Sequence, residues 1–219
     1  MYRWILFDLD GTLTDSGPGI VNCARHAITQ LGDAPPPDAL LRQFVGPPLQ
    51  VSFSEMCGYS PEKTQEAIRI FRERYGPVGQ YENTPAEGMA ALLERLKAAG
   101  FVLALASSKR EDLCLSICRR FGFAPHLEVI AGSAPASDWS KADVIREALR
   151  RLGLADADRP SVLMVGDRKY DVLGARACGI DCLGVSFFGY ALPGELEEAG
   201  AIAVVDSLPA LEAFLMEHR

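Results

Sequence analysis

The sequence predicts an α/β fold, in which a parallel sheet carries helices on both faces and a helical domain is inserted after the first strand. Short and almost continuously apolar runs alternate with helical patterns along most of the 219 residues. This alternation is typical of parallel strands that are covered on both faces. Residues 16–81 interrupt it, because they contain helical patterns and no convincing strand.

The strands of the sheet are predicted where apolar residues follow one another directly. These runs are residues 4–7, 101–106, 127–131, 161–165, 182–186 and 202–205. Helical segments are predicted between and after them, at about 86–99, 109–121, 141–152, 170–178 and 207–217. The order indicates a Rossmann-like core made of residues 1–15 and 82–219.

Residues 16–81 are predicted to form an all-helical domain. Apolar residues recur at helical spacing from Ile20 to Leu31, which predicts a first amphipathic helix. A second helix is predicted to begin at Ser60-Pro61, since serine is favoured at the N-cap and proline at the first helical position.

The composition excludes some classes of function. Acidic residues outnumber basic ones by 29 to 22, so a protein of net charge −7 lacks the basic surface that non-specific nucleic-acid binding requires. No apolar run approaches the roughly 20 residues of a membrane span. The six cysteines form no CxxC pair, which favours reduced, mostly buried thiols and a cytoplasmic location.

The first candidate motif follows the first predicted strand and reads Asp8-Leu9-Asp10-Gly11-Thr12. Two carboxylates at the end of a buried strand are costly unless a divalent cation neutralises them. An ordinary Asp-Gly turn after a strand has the same sequence pattern. On these residues alone, both interpretations stay open.

The second motif, Ser107 to Glu111, follows the next strand of the core. Ser108 and Glu111 have capping-box spacing, which predicts a helix that starts near residue 109. Lys109 and Arg110 would then lie in the first turn, where the helix dipole disfavours cations unless an anion shares the site. The alternative is that the serines only cap the helix and the basic pair is solvated.

Two further motifs also lie near strand exits. Ser140 and Asp143 predict a helix start around Lys141, which is either a surface lysine or a cation for a phosphoryl group or carboxylate. Asp167 and Asp171 follow the fourth strand of the core. Acids gathered at one sheet edge require a cation, and Mg²⁺ prefers oxygen ligands of this kind.

Together these motifs resemble those of the haloacid dehalogenase-like hydrolase superfamily, in particular its phosphoglycolate phosphatase-like branch with a small helical cap. The resemblance covers essentially the whole chain. It implies that the catalytic residues are Asp8, Asp10, Ser107 and Lys141, that the Mg²⁺ ligands are Asp8, the carbonyl of Asp10 and Asp167, that Asp171 supports the site, and that Leu9, Ser108, Lys109 and Gly46 bind substrate.

The activity implied by this resemblance is Mg²⁺-dependent hydrolysis of a small phosphate monoester through an aspartyl-phosphate. Phosphoglycolate-like compounds and nucleoside 5′-monophosphates are the candidate substrates. The alternatives are a phosphosugar mutase of the same fold and a noncatalytic binding relative. Asp10 disfavours dehalogenation, because a halide leaving group needs no protonation. The expected partner is the small phosphate ester, without nucleic acid or membrane, and the chain is expected to be a monomer or homodimer.

Overall fold

The structure, a computed structural model, describes residues 1–134 and 139–219. The chain divides into two compact units, one of Met1–Thr14 with Pro85–Arg219 and the other of Asp15–Thr84. The first is called the sheet unit below, and the second the helical unit.

Strands and helices alternate along the sheet unit as the sequence predicts, and the elements of both units are numbered here in chain order. The strands are β1 (Trp4–Phe7), β2 (Thr14–Asp15), β3 (Thr84–Pro85), β4 (Val102–Arg110), β5 (Val129–Ser133), β6 (Val162–Gly166), β7 (Asp181–Val185) and β8 (Val204–Val205). The helices are α1 (Gly17–Gln30), α2 (Asp38–Leu41), α3 (Leu49–Val51), α4 (Pro61–Tyr75), α5 (Met89–Ala98), α6 (Glu111–Arg120), α7 (Lys141–Arg151), α8 (Lys169–Ala177), α9 (Glu195–Ala199) and α10 (Leu208–Glu217).

Within the described residues, six strands form one sheet in the order β5-β4-β1-β6-β7-β8. Every neighbouring pair is parallel, and β1 lies in the middle, with Phe7 opposite Leu105 of β4 and Val165 of β6. Parallel strands end at the same edge, so the residues that follow β1, β4 and β6 are brought together. The predicted fold class is confirmed.

Helices cover both faces of the sheet. Successive residues of a strand point to opposite faces, so each strand contributes side chains to both helical layers. Ile5 and Phe7 of β1 belong to the apolar cluster that includes side chains of α5, α6 and α10. Leu6, between them, belongs to the opposite cluster, which includes side chains of α7 and α8. Burial on both faces explains why the strands are almost continuously apolar in sequence.

The helical unit is built on α1 and α4, the two helices that the sequence predicts. Ser60 is the N-cap of α4 and accepts a hydrogen bond from the backbone N–H of Lys63, as expected for this residue at this position. Phe53, in a π-helical turn that continues α3, is fully buried and contacts Phe44, Tyr59 and Phe71. These aromatic contacts form part of the core of the unit.

The predicted helix start at residue 109 is wrong. Strand β4 continues through Arg110, and α6 begins at Glu111 without a side-chain cap. The reason lies in β5, where Gly132 donates its backbone N–H to the carboxylate of Glu111. Glu111 therefore binds the neighbouring strand and forms no capping box with Ser108, so Lys109 and Arg110 precede the helix.

Smaller differences occur at other element ends. Strand β5 is displaced by two residues from the predicted 127–131, because Ala124–His126 form a 3-10 turn before it. Helix α5 starts at Met89 and not near residue 86, since Gly88 occupies its N-cap with φ 84°. Helix α9 is absent from the predicted elements, because its five residues are too few to produce a helical pattern in the sequence.

All six cysteines are free thiols, and five of them are buried. This agrees with the expectation of unpaired cysteines. No helix in the described parts of the chain is both long and apolar enough to cross a membrane.

Candidate active site

Three carboxylates meet at the carboxyl edge of the sheet. Asp8 follows β1, Asp167 follows β6, and Asp171 lies in the first turn of α8. Their oxygen atoms lie within 4.8 Å of one another, and all three residues are at least 96% buried. The backbone N–H of Asp8 donates to the carbonyl of Val165 at 2.9 Å, which fixes the spacing between the two strand ends.

The electrostatics of these carboxylates fit a bound cation. Burial, together with the negative charge of Asp171, raises the pKa of Asp8 to about 6 against the attraction of Lys141. Burial and the charges of Asp171 and Asp8 also raise the pKa of Asp167 well above its usual range. One oxygen of Asp167 is buried without a hydrogen-bond partner among the described residues. Such a group is costly unless it ligates a metal, and carboxylate oxygens suit Mg²⁺.

Lys141, the first residue of α7, connects two of the carboxylates. Its Nζ lies 2.6 Å from Oδ1 of Asp8, 2.7 Å from Oδ1 of Asp171 and 3.1 Å from the carbonyl oxygen of Ala106. Burial alone would lower the pKa of Lys141, but Asp171 and Asp8 raise it above its ordinary value. The lysine is therefore a permanent cation at neutral pH.

The start of α7 explains how Lys141 reaches this position. Ser140 and Asp143 form the predicted capping box, in which each side chain accepts a hydrogen bond from the other residue's backbone. Gly174 of α8 packs closely here, since a Cβ atom on it would lie 2.7 Å from Cγ of Lys141. Glycine in a helix interior is unfavourable, and at this position it makes room for the lysine stem.

The loop between Asp8 and Thr14 is a tight turn held by its own backbone. Leu9, which is fully buried, accepts hydrogen bonds from the backbone N–H groups of Leu13 and Thr14 through its carbonyl. Thr12 donates its hydroxyl to Asp167 at 3.3 Å. The turn thereby brings the first motif against the fourth.

Gly11 is required where this turn passes Asp167. Its φ is 82°, and a Cβ atom on it would lie 2.0 Å from Oδ2 of Asp167. Any side chain at position 11 would therefore have to displace the carboxylate and adopt a left-handed backbone.

Gly11→Ala is expected to weaken Mg²⁺ binding at least about tenfold, because the added methyl group displaces Asp167. The matched control is Gly32→Ala, since Gly32 has φ 83° and open space around its Cβ position. Both variants are expected to lose about 1–2 kcal/mol of unfolding free energy from the left-handed backbone. Calorimetric titration with Mg²⁺ distinguishes them, and equal dissociation constants for the two variants would contradict this role of Gly11.

The carboxylate of Asp10 lies apart from the group of three. Its Oδ2 accepts a hydrogen bond from Nζ of Lys109 at 2.7 Å, and both side chains are largely buried. Lys109 therefore lies beside Asp10, and it reaches this position from the end of β4 and not from a helix. Ser107, also at the end of β4, is buried, and its hydroxyl accepts from the backbone N–H of Lys109 at 3.4 Å.

Among the contacts of residues 1–134 and 139–219, none assigns a role to two of the predicted substrate-binding residues, Ser108 and Gly46. Ser108 is a half-buried residue of β4. Gly46 belongs to the helical unit and has φ 102°. Their participation stays a prediction.

Three residues near the carboxylate cluster are not among the predicted site residues: Arg168, Gly174 and Glu195. Gly174 left a signal, since it is a glycine inside a predicted helix three residues after Asp171. Glu195 left none, because its partner Arg168 is 27 residues away and no pattern links them.

The model of the family described as haloacid dehalogenase-like hydrolase matches residues 5–185. Over 218 residues the chain is 38% identical to a 5′-nucleotidase from Pseudomonas aeruginosa, covering 99% of this chain and 97% of that one. It is 43% identical over 190 residues to the tyrosine-protein kinase PtkA from Mycobacterium tuberculosis, covering 85% of this chain and 62% of that relative's length. The solved structure of a predicted phosphatase from Clostridium acetobutylicum superimposes with a TM-score of 0.93, at 36% identity and 99% coverage of both chains.

Proposed function

Because the chain belongs to the haloacid dehalogenase-like hydrolase family and is a phosphatase of that family, we propose that it hydrolyses small phosphate monoesters with Mg²⁺ through an aspartyl-phosphate on Asp8. The observation that carries the proposal is the buried contact between Asp8 and Lys141, 2.6 Å long, beside the carboxylates of Asp167 and Asp171. A carboxylate held in this way is oriented for nucleophilic attack.

Mg²⁺ would be held by Asp8, the carbonyl of Asp10 and Asp167, as the resemblance implies. When bound, it would offset the repulsion between the carboxylate nucleophile and the substrate phosphate. The Asp167 oxygen that has no hydrogen-bond partner in the described parts of the chain, and the raised pKa values of Asp8 and Asp167, support this assignment.

In the first step a carboxylate oxygen of Asp8 bonds to phosphorus and the bond from phosphorus to the leaving oxygen breaks. Asp10 gives its proton to that oxygen. In the second step Asp10 takes a proton from water, the water oxygen bonds to phosphorus, and the bond to Asp8 breaks. Lys141, Ser107 and the backbone amides of Leu9 and Asp10 stabilise the charge on the transferring phosphoryl oxygens.

Asp171 acts in this scheme through Lys141. Its Oδ1 lies 2.7 Å from the ammonium group, and its Oδ2 accepts from the backbone N–H of Arg168. The lysine is thereby held between Asp171 and the nucleophile. Lys109, whose Nζ lies 2.7 Å from Oδ2 of Asp10, is proposed to meet the leaving group.

We propose nucleoside 5′-monophosphates and phosphoglycolate-like compounds as the substrate class. The helical unit is proposed to act as a cap, and Gly46 of that unit and Ser108 of β4 are proposed to contribute to specificity. The relative named 5′-nucleotidase supports the first class. The test is a panel of small phosphomonoesters, with phosphate release measured as kcat/KM with Mg²⁺ and with a chelator. Absence of Mg²⁺-dependent release from every compound, including an aryl phosphate, would overturn the proposal.

Phosphoryl transfer to a tyrosine hydroxyl is the second candidate function, supported by the 43% identity to the relative named tyrosine-protein kinase. Both functions would share a phosphorylated Asp8 and differ in the acceptor. Incubation with labelled ATP and a tyrosine-containing polypeptide separates them, because the phosphatase releases phosphate and the kinase labels the polypeptide. A hexose 1-phosphate in the panel tests the mutase in the same way, through isomerisation without release.

Asp10→Asn is expected to lower kcat for a poor leaving group by about 10²–10⁴-fold, since general acid–base catalysis contributes that much. With p-nitrophenyl phosphate, whose leaving group needs no proton, the first step is preserved and only hydrolysis slows. Rapid-mixing kinetics should therefore show a burst of nitrophenol followed by slow turnover. The control is Asp112→Asn, a change at an exposed carboxylate of the same unit. A parallel loss for both leaving groups without a burst would contradict this role of Asp10.

A further inference from the structure

A buried ion pair adjoins the carboxylate cluster and has no part in the proposed chemistry. The guanidinium Nε of Arg168 donates to Oε1 of Glu195 at 2.8 Å, and Nη2 lies 3.4 Å from Oε2. Arg168 is 4% exposed and Glu195 is 9% exposed. Charges removed from water to this degree are rare without a compensating role.

Glu195 binds more than its ion-pair partner. Its Oε1 also accepts a hydrogen bond from the backbone N–H of Lys169 at 3.0 Å, and its Oε2 accepts from the backbone N–H of Leu192 at 3.1 Å. One carboxylate thus joins the first residue of α8 to the segment that leads into α9. Both oxygens are used, which is how a buried carboxylate is satisfied.

The ion pair acts on the backbone between two of the site carboxylates. Arg168 directly follows Asp167, and its backbone N–H donates to Oδ2 of Asp171 at 3.0 Å. Glu195 contacts the side chain of Arg168 and the backbone of Lys169, so it restrains the segment that joins Asp167 to Asp171. The Asp171 carboxyl group is also packed closely against Gly166, because a Cβ atom on Gly166 would lie 2.3 Å from Cγ of Asp171.

Stability alone does not account for such a pair. Replacing a buried ion pair by apolar groups of similar volume is often neutral for stability, whereas removing one partner is strongly unfavourable. Residues that orient metal ligands, in contrast, commonly change metal affinity by 10–100-fold when they are replaced. The position of Arg168 between two carboxylates of the cluster favours this second role.

We propose that Arg168 and Glu195 are positioning residues that fix the orientation of Asp167 toward the cation and of Asp171 toward Lys141. The inference rests on the proposed function, since it assigns the pair to the same site. It adds Glu195, from a segment outside every motif, to the residues on which cation binding depends.

The test uses the full-length chain and Mg²⁺ alone as the probe, with binding measured by calorimetry and the unfolding temperature measured beside it. Glu195→Gln removes the carboxylate charge that pairs with the buried Arg168 guanidinium. The double variant Arg168→Met/Glu195→Gln removes both charges, approximately conserves volume and keeps one amide oxygen, which can accept from one of the two backbone N–H groups that Glu195 binds. Glu212→Gln is the matched control, because Glu212 forms a bidentate pair with Arg95 between α5 and α10.

Glu195→Gln is expected to lower the unfolding temperature and to raise the Mg²⁺ dissociation constant at least about tenfold. In the double variant the unfolding temperature should recover in part, because the buried Arg168 charge is removed, while the dissociation constant stays raised. A dissociation constant that returns to within twofold of the wild type would show a merely structural pair and overturn the inference. Glu212→Gln should leave Mg²⁺ binding unchanged.

Arg168→Lys keeps the charge and loses the planar fork, so it tests the same point if the double variant fails to fold. An unchanged Mg²⁺ dissociation constant in this variant would overturn the inference. Wild-type protein that binds Mg²⁺ but releases no phosphate would refute the proposed function alone. Wild-type protein that binds no Mg²⁺ would refute both.

Discussion

Asp8→Asn is expected to lower kcat/KM for a small phosphate monoester by at least about 10⁴-fold, in the range reported for loss of an enzyme nucleophile. The amide retains the shape of the side chain and an oxygen that can accept from Lys141, but it cannot form the bond to phosphorus. Phosphate release at saturating Mg²⁺, compared with Asp112→Asn, is the measurement. Residual activity within a hundredfold of the wild type would contradict the assignment of Asp8 as nucleophile.

The same substitution should not destabilise the metal-free protein at neutral pH. Burial raises the pKa of Asp8 from 3.8 to about 6, so the folded state binds the proton more tightly than the unfolded state does. The cost of ionising Asp8 is therefore absent below about pH 4 and complete above about pH 6. Asparagine carries no such cost, and its unfolding temperature at pH 7.5 without Mg²⁺ should equal or exceed that of the wild type.

Lys141→Met is expected to damage both activity and stability. It removes the only ammonium group that the described residues place within 3 Å of Asp8 and Asp171, and breaking a buried ion pair costs about 3–5 kcal/mol. We also expect a loss of about 10²–10³-fold in kcat, as for the removal of one group that stabilises charge in the transition state.

The unfolding free energy from urea denaturation and the rate of phosphate release together check this prediction. Lys97→Met is the matched control, because Lys97 is exposed and donates only to the carbonyl of Pro125 among the contacts described. It should change the unfolding free energy by less than about 0.5 kcal/mol. A Lys141→Met variant as stable and active as this control would contradict the role of the buried lysine.

The fold is predictable from the sequence because a parallel sheet buried on both faces leaves a strong pattern. The run 4–7 coincides with β1, and the capping box at Ser140 and Asp143 marks the start of α7. Three of the four carboxylates singled out, Asp8, Asp167 and Asp171, come together because parallel strands end at one edge.

The start of α6 could not be predicted, because tertiary contact overrides the local pattern. Ser108 and Glu111 have the spacing of a capping box, yet the carboxylate of Glu111 accepts from Gly132 of β5 and also pairs with Arg151. The basic residues 109 and 110 consequently lie at a strand end, and Lys109 reaches Asp10. The helix-dipole interpretation of Lys109 and Arg110 is therefore wrong, although Lys109 does contact a carboxylate of the first motif.

Glu195 could not be found for a different reason. Its partner and the two backbone groups it binds lie on segments that only the folded sheet brings together. Local patterns in sequence report contacts within one element or turn, and this carboxylate acts between elements.

The covalent phosphoryl group proposed on Asp8 can be detected directly. The Asp10→Asn variant is mixed with p-nitrophenyl phosphate and Mg²⁺, quenched in acid and reduced with borohydride, which converts an acyl phosphate to an alcohol. Peptide mass spectrometry should then find homoserine at position 8, and only when both substrate and Mg²⁺ are present. Continued turnover with an unmodified Asp8, or with the phosphoryl group on another residue, would contradict the account.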